Sequence, residues 1–236
     1  MAVERAGASR IELCTGIVAG GVTPSMGLFR ACKEYTKLPI MAMIRPREGG
    51  FSYSHYEFAT MVQEVDAFKE AGAHGVVLGI LTEEGRIDVH RMKFLRERAR
   101  PMHAMCHRAF DVTPDPLQAL DDLVECGFDR VLSSGQTKEI VAGLPMLKRL
   151  ISHAAGRIEV QPCEGIRPEN VRQVIETLHP TCIHLGPFAP QKDPTSDLDR
   201  EVNYGEHLEV DEACVREVVR LSIPPLPGED LPGPRG

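Results

Sequence analysis

Nine consecutive residues, HAMCHRAFD at positions 103–111, carry two imidazoles, a thioether, a thiol, a guanidinium and a carboxylate. Such groups can ligate a soft metal ion, move protons or bind an anion. If this stretch begins as a β-strand, His103, Met105 and His107 share one face and Cys106 lies on the other. Neighbours on one face start about 7 Å apart, so a metal site needs ligands from a second strand.

The second half of this stretch lies where the predicted strand gives way to a loop. His107 can shuttle a proton near neutral pH and Asp111 can fix its tautomer, which makes them a candidate catalytic acid–base pair. Arg108 is a candidate for binding a substrate anion. The structural alternative is that Asp111 caps the following turn while Arg108 pairs with an acid. The residues alone leave both interpretations open.

A second polar group follows an earlier predicted strand. Arg45 and Arg47 flank a proline, and guanidinium groups suit carboxylate or phosphate. Arg45 has the same parity as Met43, so it should point into the protein, where a guanidinium needs an anion. Glu12 could be that anion in an internal ion pair, or both could contact a substrate. Ser134, after another predicted strand, is a further candidate for substrate binding.

Short aliphatic runs alternate with longer helical patterns along the chain. Residues 56–71, for example, repeat apolar side chains every three to four positions, with Ser54 as a helix N-cap before them and Gly72 ending them. Seven runs are predicted to be strands: 10–14, 39–45, 75–81, 101–107, 130–134, 157–161 and 181–186. Strands separated by helices indicate a parallel sheet that is buried on both faces.

This pattern predicts an α/β fold, either a doubly wound sheet or a TIM (β/α)8-type barrel. No GxGxxG motif follows the first strand, which favours the barrel. Residues 3–6 resemble the end of a helix whose preceding strand is absent, so we expect a barrel without its first strand. Such a barrel has two open edges, which favours a homo-oligomer. We expect the barrel to span 1–222 and a disordered Pro/Gly-rich tail to span 223–236.

Charge and cysteine content limit which partners and which cellular compartment we expect for this protein. The formal net charge is −7 and there is no long basic block, so we expect neither nucleic acid nor a membrane as a partner. The chain has no signal-peptide pattern, and its seven cysteines are dispersed without a CxxC pair. We therefore expect reduced thiols in an intracellular protein.

Five ordered blocks together resemble the CutC family, the copper homeostasis proteins. They are RIELC (10–14), GGVTPSMG (20–27), MIRPREGGFSYS (43–54), HRAFD (107–111) and RVLSSGQ (130–136). The resemblance covers residues 2–186. It implies a TIM barrel that binds Cu(I), located in the cytoplasm and, in animals, often also in the nucleus. It establishes no enzymatic activity.

The resemblance also implies a metal ligand, Cys14, the last residue of the first block. Cys106 and Met105 are the candidates for additional ligands, because thiolate and thioether sulfur select Cu(I) over hard cations. The alternative for these two residues is an ordinary place in the core.

Two functions remain possible at this stage. The first is a copper homeostasis protein that holds Cu(I) with barrel thiolates and other soft ligands. The second is a barrel enzyme that binds a small anionic substrate through an arginine clamp and uses the His107–Asp111 pair. Fold alone does not choose between them, and the specific resemblance favours copper homeostasis. A third possibility is a paralogue that has lost both ligand and activity.

Overall fold

A computed structural model describes residues 1–195 and 205–223 of the chain. Six strands form one parallel sheet in chain order: β1 (Ile11–Leu13), β2 (Ile40–Met43), β3 (Gly75–Leu78), β4 (His103–Cys106), β5 (Arg130–Ser133) and β6 (Glu159–Pro162). The helices are α1 (Ala2–Arg5), α2 (Met26–Tyr35), α3 (His55–Glu70), α4 (Val89–Ala99), α5 (Pro116–Glu125), α6 (Ile140–Ala154), α7 (Val171–Leu178) and α8 (Glu212–Ser222). This is part of a TIM-like α/β barrel, as the sequence predicts.

The two faces of the sheet bury different sets of side chains. Outward-pointing residues such as Ala42, Val76 and Cys106 join the large core beneath the helices. Inward-pointing residues form a separate group, which we call the inner cluster: Met41, Met43, Val77, Met105, Leu132 and Cys163, with Cys14 partly buried against them. The predicted alternation along β4 is therefore confirmed, since Met105 and Cys106 belong to different clusters.

Local sequence explains where the helices begin and end. Ser54 and Glu57 form a reciprocal capping box at the start of α3. Ser25 caps α2 and Asp115 caps α5, each accepting backbone N–H groups of the first turn. Gly72 follows α3 at a φ of +77°, a conformation that a side chain would disfavour.

The last predicted strand, 181–186, is wrong. Its one backbone hydrogen bond to the sheet runs from His184 N to Pro162 O, 2.9 Å, and no regular ladder forms there. The chain instead forms an antiparallel hairpin of β7 (Phe188–Gln191) and β8 (His207–Val210), which the sequence analysis missed. Pro187 separates the segment 181–186 from β7. Proline has no N–H to donate to a ladder, so a strand is interrupted there.

β1 and β6 are the edges of the six-stranded sheet. On the side of β1, α1 packs against α8, and Arg5 Nη2 lies 2.6 Å from Glu212 Oε2. Nearly all of the predicted tail, 224–236, lies outside the described residues. Within the ranges that are described, no helix combines the length and the apolar character needed to cross a membrane.

The end of β5 and the helix α6 meet backbone to backbone. A Cβ on Gly143 would lie 1.8 Å from Ser134 O, and one on Gly135 would lie 2.3 Å from Gly143 O. Neither contact is possible for a real side chain, so both glycines are needed to bring the helix against the strand end. This contact fixes the loop that follows β5.

We predict that Gly143→Ala lowers the free energy of unfolding by about 3 kcal/mol or more, because backbone atoms cannot yield to the new methyl group. Gly27→Ala in α2 is the matched control, since its nearest contact would be an ordinary 3.8 Å. Alanine favours a helix over glycine by about 1 kcal/mol, so the control should be neutral or stabilising. Urea denaturation of both variants measures the difference, and equal stability would contradict the steric argument.

Candidate functional site

His107 directly follows β4 and is buried at the rim of the barrel, with 4% of its surface exposed. Its Nδ1 accepts a hydrogen bond from Ala109 N at 3.1 Å, so the neutral ring carries its proton on Nε2. Burial, reinforced by the charge of Arg45, lowers the pKa of His107 to about 4. The imidazole is therefore neutral at physiological pH. No described residue accepts a hydrogen bond from Nε2.

Gly79 makes room for this imidazole. A Cβ at that position would lie 2.8 Å from His107 Cε1 and 2.9 Å from Nδ1. The neighbouring ring of Phe51 packs on the imidazole with centroids 5.0 Å apart. The sequence analysis did not propose a role for Gly79, the residue after β3. Gly79 is two positions from Val77, so it lies on the same face of the sheet, and this spacing could have placed it beside His107.

Asp111 organises the loop after β5 and does not contact His107. Its Oδ1 accepts from Ser133 Oγ at 2.7 Å, and its Oδ2 accepts from Ser134 N and Arg108 Nε, both at 3.0 Å. The structure therefore does not bring the predicted acid–base pair together. Arg108 pairs with an acid, as the structural alternative expects, whereas Asp111 holds the loop after β5 and does not cap the turn that follows it.

Arg108 and Ser134 belong to the same network. Arg108 Nη1 donates to Glu164, from the loop after β6, and Nη2 donates to Ser134 Oγ at 3.0 Å. With Nε on Asp111, each nitrogen of this guanidinium has a partner. Arg108 thus joins the loops that follow β4, β5 and β6.

Arg47 is also fully engaged, in the loop after β2. It pairs with Glu57 at the start of α3 and donates to the carbonyls of Glu48, Gly50 and Ser52. These bonds close the loop 46–53 on itself and on α3. Like those of Arg108, the N–H groups of Arg47 hold loops at the rim of the barrel in place.

Arg45 differs from the other two arginines. Its Nη1 donates to the carbonyls of Ala19 and Gly21 at 2.9 and 2.8 Å, and its Nη2 donates to Gly49 O at 2.8 Å. The expected ion pair with Glu12 does not form. Carbonyl dipoles replace the carboxylate, and the Nε of Arg45 has no hydrogen-bond partner among the described residues.

Glu12 approaches His184 instead of Arg45. Its Oε2 lies 3.3 Å from His184 Nε2, which connects β1 to the segment that follows α7. Burial lowers the pKa of His184, but the carboxylate of Glu12, helped by that of Glu164, raises the pKa above its ordinary value. The charge of Arg108 lowers this pKa.

The inner cluster brings together two of the three predicted metal ligands. Cys14 and Met105 both belong to it, whereas Cys106 lies in the outer core and donates from Sγ to His107 O at 3.5 Å. The cluster also contains Cys163, a thiol that the sequence analysis did not propose. Cys163 is two positions after Gln161 of β6, so strand alternation could have placed it on the same face as Gln161.

Sulfur dominates the end of the inner cluster next to Gly21. A Cβ on Gly21 would lie 3.2 Å from Cys14 Sγ and 3.8 Å from Met43 Cε, so both side chains pack on this glycine. Burial raises the pKa of Cys14 to about 12, with a further contribution from Glu12, and burial raises that of Cys163 well above its ordinary value. In the part of the chain that is described, no three His, Cys, Asp or Glu side chains form a metal-binding group. A metal here would need thioether ligands.

Comparison with known proteins decides the family. The CutC family model matches residues 1–187. The chain belongs to the CutC family. A CutC family protein of Treponema denticola is 41% identical over 205 residues, covering 87% of this chain and 83% of the relative. The human copper homeostasis protein cutC homolog is 45% identical over 181 residues, covering 77% of this chain and 66% of that protein.

A solved structure supports the same assignment. The CutC protein of Streptococcus agalactiae superposes with a TM-score of 0.72 at 32% identity, covering 75% of this chain and 87% of the other. The barrel architecture is thus shared with a CutC member.

We predict that the contact between His184 and Glu12 makes stability depend on pH. Because the pKa of His184 is raised in the folded state, the contact stabilises folding fully below the ordinary histidine pKa of about 6.5, and the stabilisation is lost as the pH rises through the raised value. Glu12→Gln should remove this loss. Urea unfolding of both proteins from about pH 5.5 to about pH 8.5 isolates the effect as a difference between two pH profiles. Parallel profiles would contradict the assignment.

Proposed function

We propose that this chain binds Cu(I) as cargo in copper homeostasis, with Cys14 as the principal ligand. The observation that carries the proposal is the inner cluster, in which five of seven side chains carry sulfur. The name of the human relative points to the same metal. The copper ion is the protein's substrate in this proposal.

The donor set fits Cu(I) better than it fits a hard cation. Cys14, Met43, Met105 and Cys163 come from four different strands or strand ends, so the limit on neighbours within one strand does not apply. Thiolate and thioether are soft ligands that favour Cu(I), whereas calcium and magnesium need oxygen ligands. Cys106 is left out of this set because it lies on the other face of the sheet.

The enzyme alternative has less support. It needs His107 and Asp111 to exchange a proton, yet the carboxylate is held by the loop after β5. It also needs an arginine clamp of Arg45 and Arg47, and the donors of Arg47 are already used, which leaves only the Nε of Arg45. Copper handling is consistent with a reducing compartment, so we propose the cytoplasm and, in an animal cell, also the nucleus as its location.

Cu(I) titration against a chromophoric chelator, under anaerobic conditions, tests the proposal. We predict that the intact protein competes for copper and that Cys14→Ala loses at least about 100-fold in affinity, because the strongest soft ligand is gone. Cys106→Ala is the matched control, since it removes the same atom from the opposite face. Loss of binding with the control alone, or no binding by the folded parent protein, would overturn the proposal.

We also predict that the affinity for Cu(I) rises with pH. The pKa of Cys14 is raised to about 12, so at neutral pH this thiol must give up its proton when the metal binds. Between pH 6 and pH 8 the dissociation constant should fall about tenfold per pH unit for one cysteine ligand, and about 100-fold per unit for two. The same competition assay in buffers of different pH measures the slope. A flat profile would exclude cysteine ligands.

A further inference from the structure

Three buried side-chain donors in this part of the molecule have no hydrogen-bond partner among the described residues. They are the Nε of Arg45, the Nε2 of His107 and the hydroxyl of Tyr53, whose residues are 6%, 4% and 4% exposed. Tyr53 belongs to the outer core and neighbours the Arg45 guanidinium, whereas the other two donors are on side chains of the inward face. A buried N–H without an acceptor is costly, and such groups in native proteins are usually matched by a ligand or by ordered water. None of these donors is used by the copper site proposed above.

The sheet register brings Arg45 and His107 to one place. Met43, Val77 and Met105 are aligned across β2, β3 and β4. Two residues further along each strand the same inward face carries Arg45, Gly79 and His107. Because Gly79 has no side chain, the imidazole of His107 lies over it, in the direction of the strand that bears Arg45.

One aromatic ring covers both donors. The centroid of Phe51 lies 5.2 Å from Arg45 Cζ and 5.0 Å from the centre of the His107 imidazole. Phe51 is itself only partly buried, and it belongs to the loop after β2. The ring therefore lies between these two groups and the loop that follows β2.

Hydrogen bonding defines what the site can accept. Since Ala109 N donates to His107 Nδ1, the Nε2 atom bears a proton and offers a donor, not a lone pair for a metal ion. The guanidinium of Arg45 is balanced by carbonyl oxygens of the surrounding loops and has no ion pair with a described carboxylate. The two groups together call for an oxygen acceptor with a negative charge.

Charge nearby limits the size of that negative charge. Glu12 is aligned with Met41 across β1 and β2, so its carboxylate points to the same interior, where its Oε2 is buried without a hydrogen-bond partner among the described residues. A dianion such as phosphate would be repelled by this carboxylate more strongly than a monoanion.

We propose that Arg45 and His107 bind the carboxylate of a small monoanionic molecule at the rim of the barrel, one oxygen to each donor. This site adjoins the inner cluster, because Arg45 donates to the carbonyl of Gly21, on which Cys14 packs. It takes a different ligand. Its occupant is recognised by a carboxylate group and a small size, since the two donors lie beneath a single phenyl ring.

Nitrogen-15 NMR of the intact protein tests the proposal, with acetate as the probe and inorganic phosphate as the contrast. Buried side-chain N–H groups exchange slowly with water, so the signals of Arg45 Nε and His107 Nε2 should be observable. Acetate should shift both signals and saturate with a dissociation constant on the order of 1 mM, while phosphate should have a weaker effect. The absence of any shift at about 50 mM acetate would overturn the proposal.

His107→Asn is the most informative variant. The amide oxygen of asparagine can replace Nδ1 as the acceptor for Ala109 N, while the Nε2 donor is lost. Binding of acetate, followed at Arg45 Nε, should weaken about tenfold. His103→Asn is the matched control, because it makes the same change at the exposed start of the same strand and should leave acetate binding intact.

Arg45→Lys provides a second variant that keeps the positive charge and removes Nε. Its acetate affinity, followed at His107 Nε2, should also fall about tenfold. Unchanged acetate binding in either folded variant would overturn the proposal. The Cu(I) titration of the same variants separates the two sites, since failure of acetate binding with normal copper binding concerns this site alone.

Discussion

A parallel sheet covered by helices on its outside offers each strand residue only two directions, and both lead into the interior. Everything chemical in this protein depends on that division. Met105 and Cys106 are adjacent in the chain, yet one meets the sulfur-rich inner cluster and the other meets the helices. A shift of one residue in register would exchange their surroundings, because the side-chain period of a strand is two. The contact of Met41 with Gly75 secures this register: a Cβ on that glycine would lie 2.2 Å from Met41 Cε.

Most charged groups at the rim serve the architecture of the loops. Asp111 and Arg108 hold the connections after three neighbouring strands together, and Arg47 closes the loop after β2. Since a loop over a barrel end has many backbone groups to satisfy, long side chains with several donors are well suited to this work. Arg45 and His107 differ from these residues because each has a buried nitrogen without a hydrogen-bond partner among the described residues.

Local patterns in the sequence predict the regular part of this fold well. Six of the seven predicted strands form, and Ser54 caps its helix as its spacing from Glu57 suggests. The segment 181–186 has the composition of a strand, but composition cannot show whether a neighbour offers a complete ladder. The hairpin of β7 and β8 was missed because its strands lie far apart in the chain, and one of them contains a proline.

The candidate sites were predicted less completely, for a physical reason. Parity places Arg45, Glu12 and Cys14 inside the barrel, and the structure places all three there. Parity does not give the direction of a long side chain, so the guanidinium reaches carbonyls and Glu12 reaches His184. Glycines such as Gly79 carry no chemistry of their own, and their role appears only when a neighbour occupies the space they leave.

Burial of the cysteines has a consequence for chemical reactivity. Peroxides and alkylating reagents attack the thiolate, and a thiol whose pKa is about 12, as at Cys14, is ionised in roughly one molecule in 100,000 at pH 7. Cys126, with a pKa that burial also raises to about 12, has the same property. Both thiols therefore react more slowly with such reagents than an exposed cysteine does.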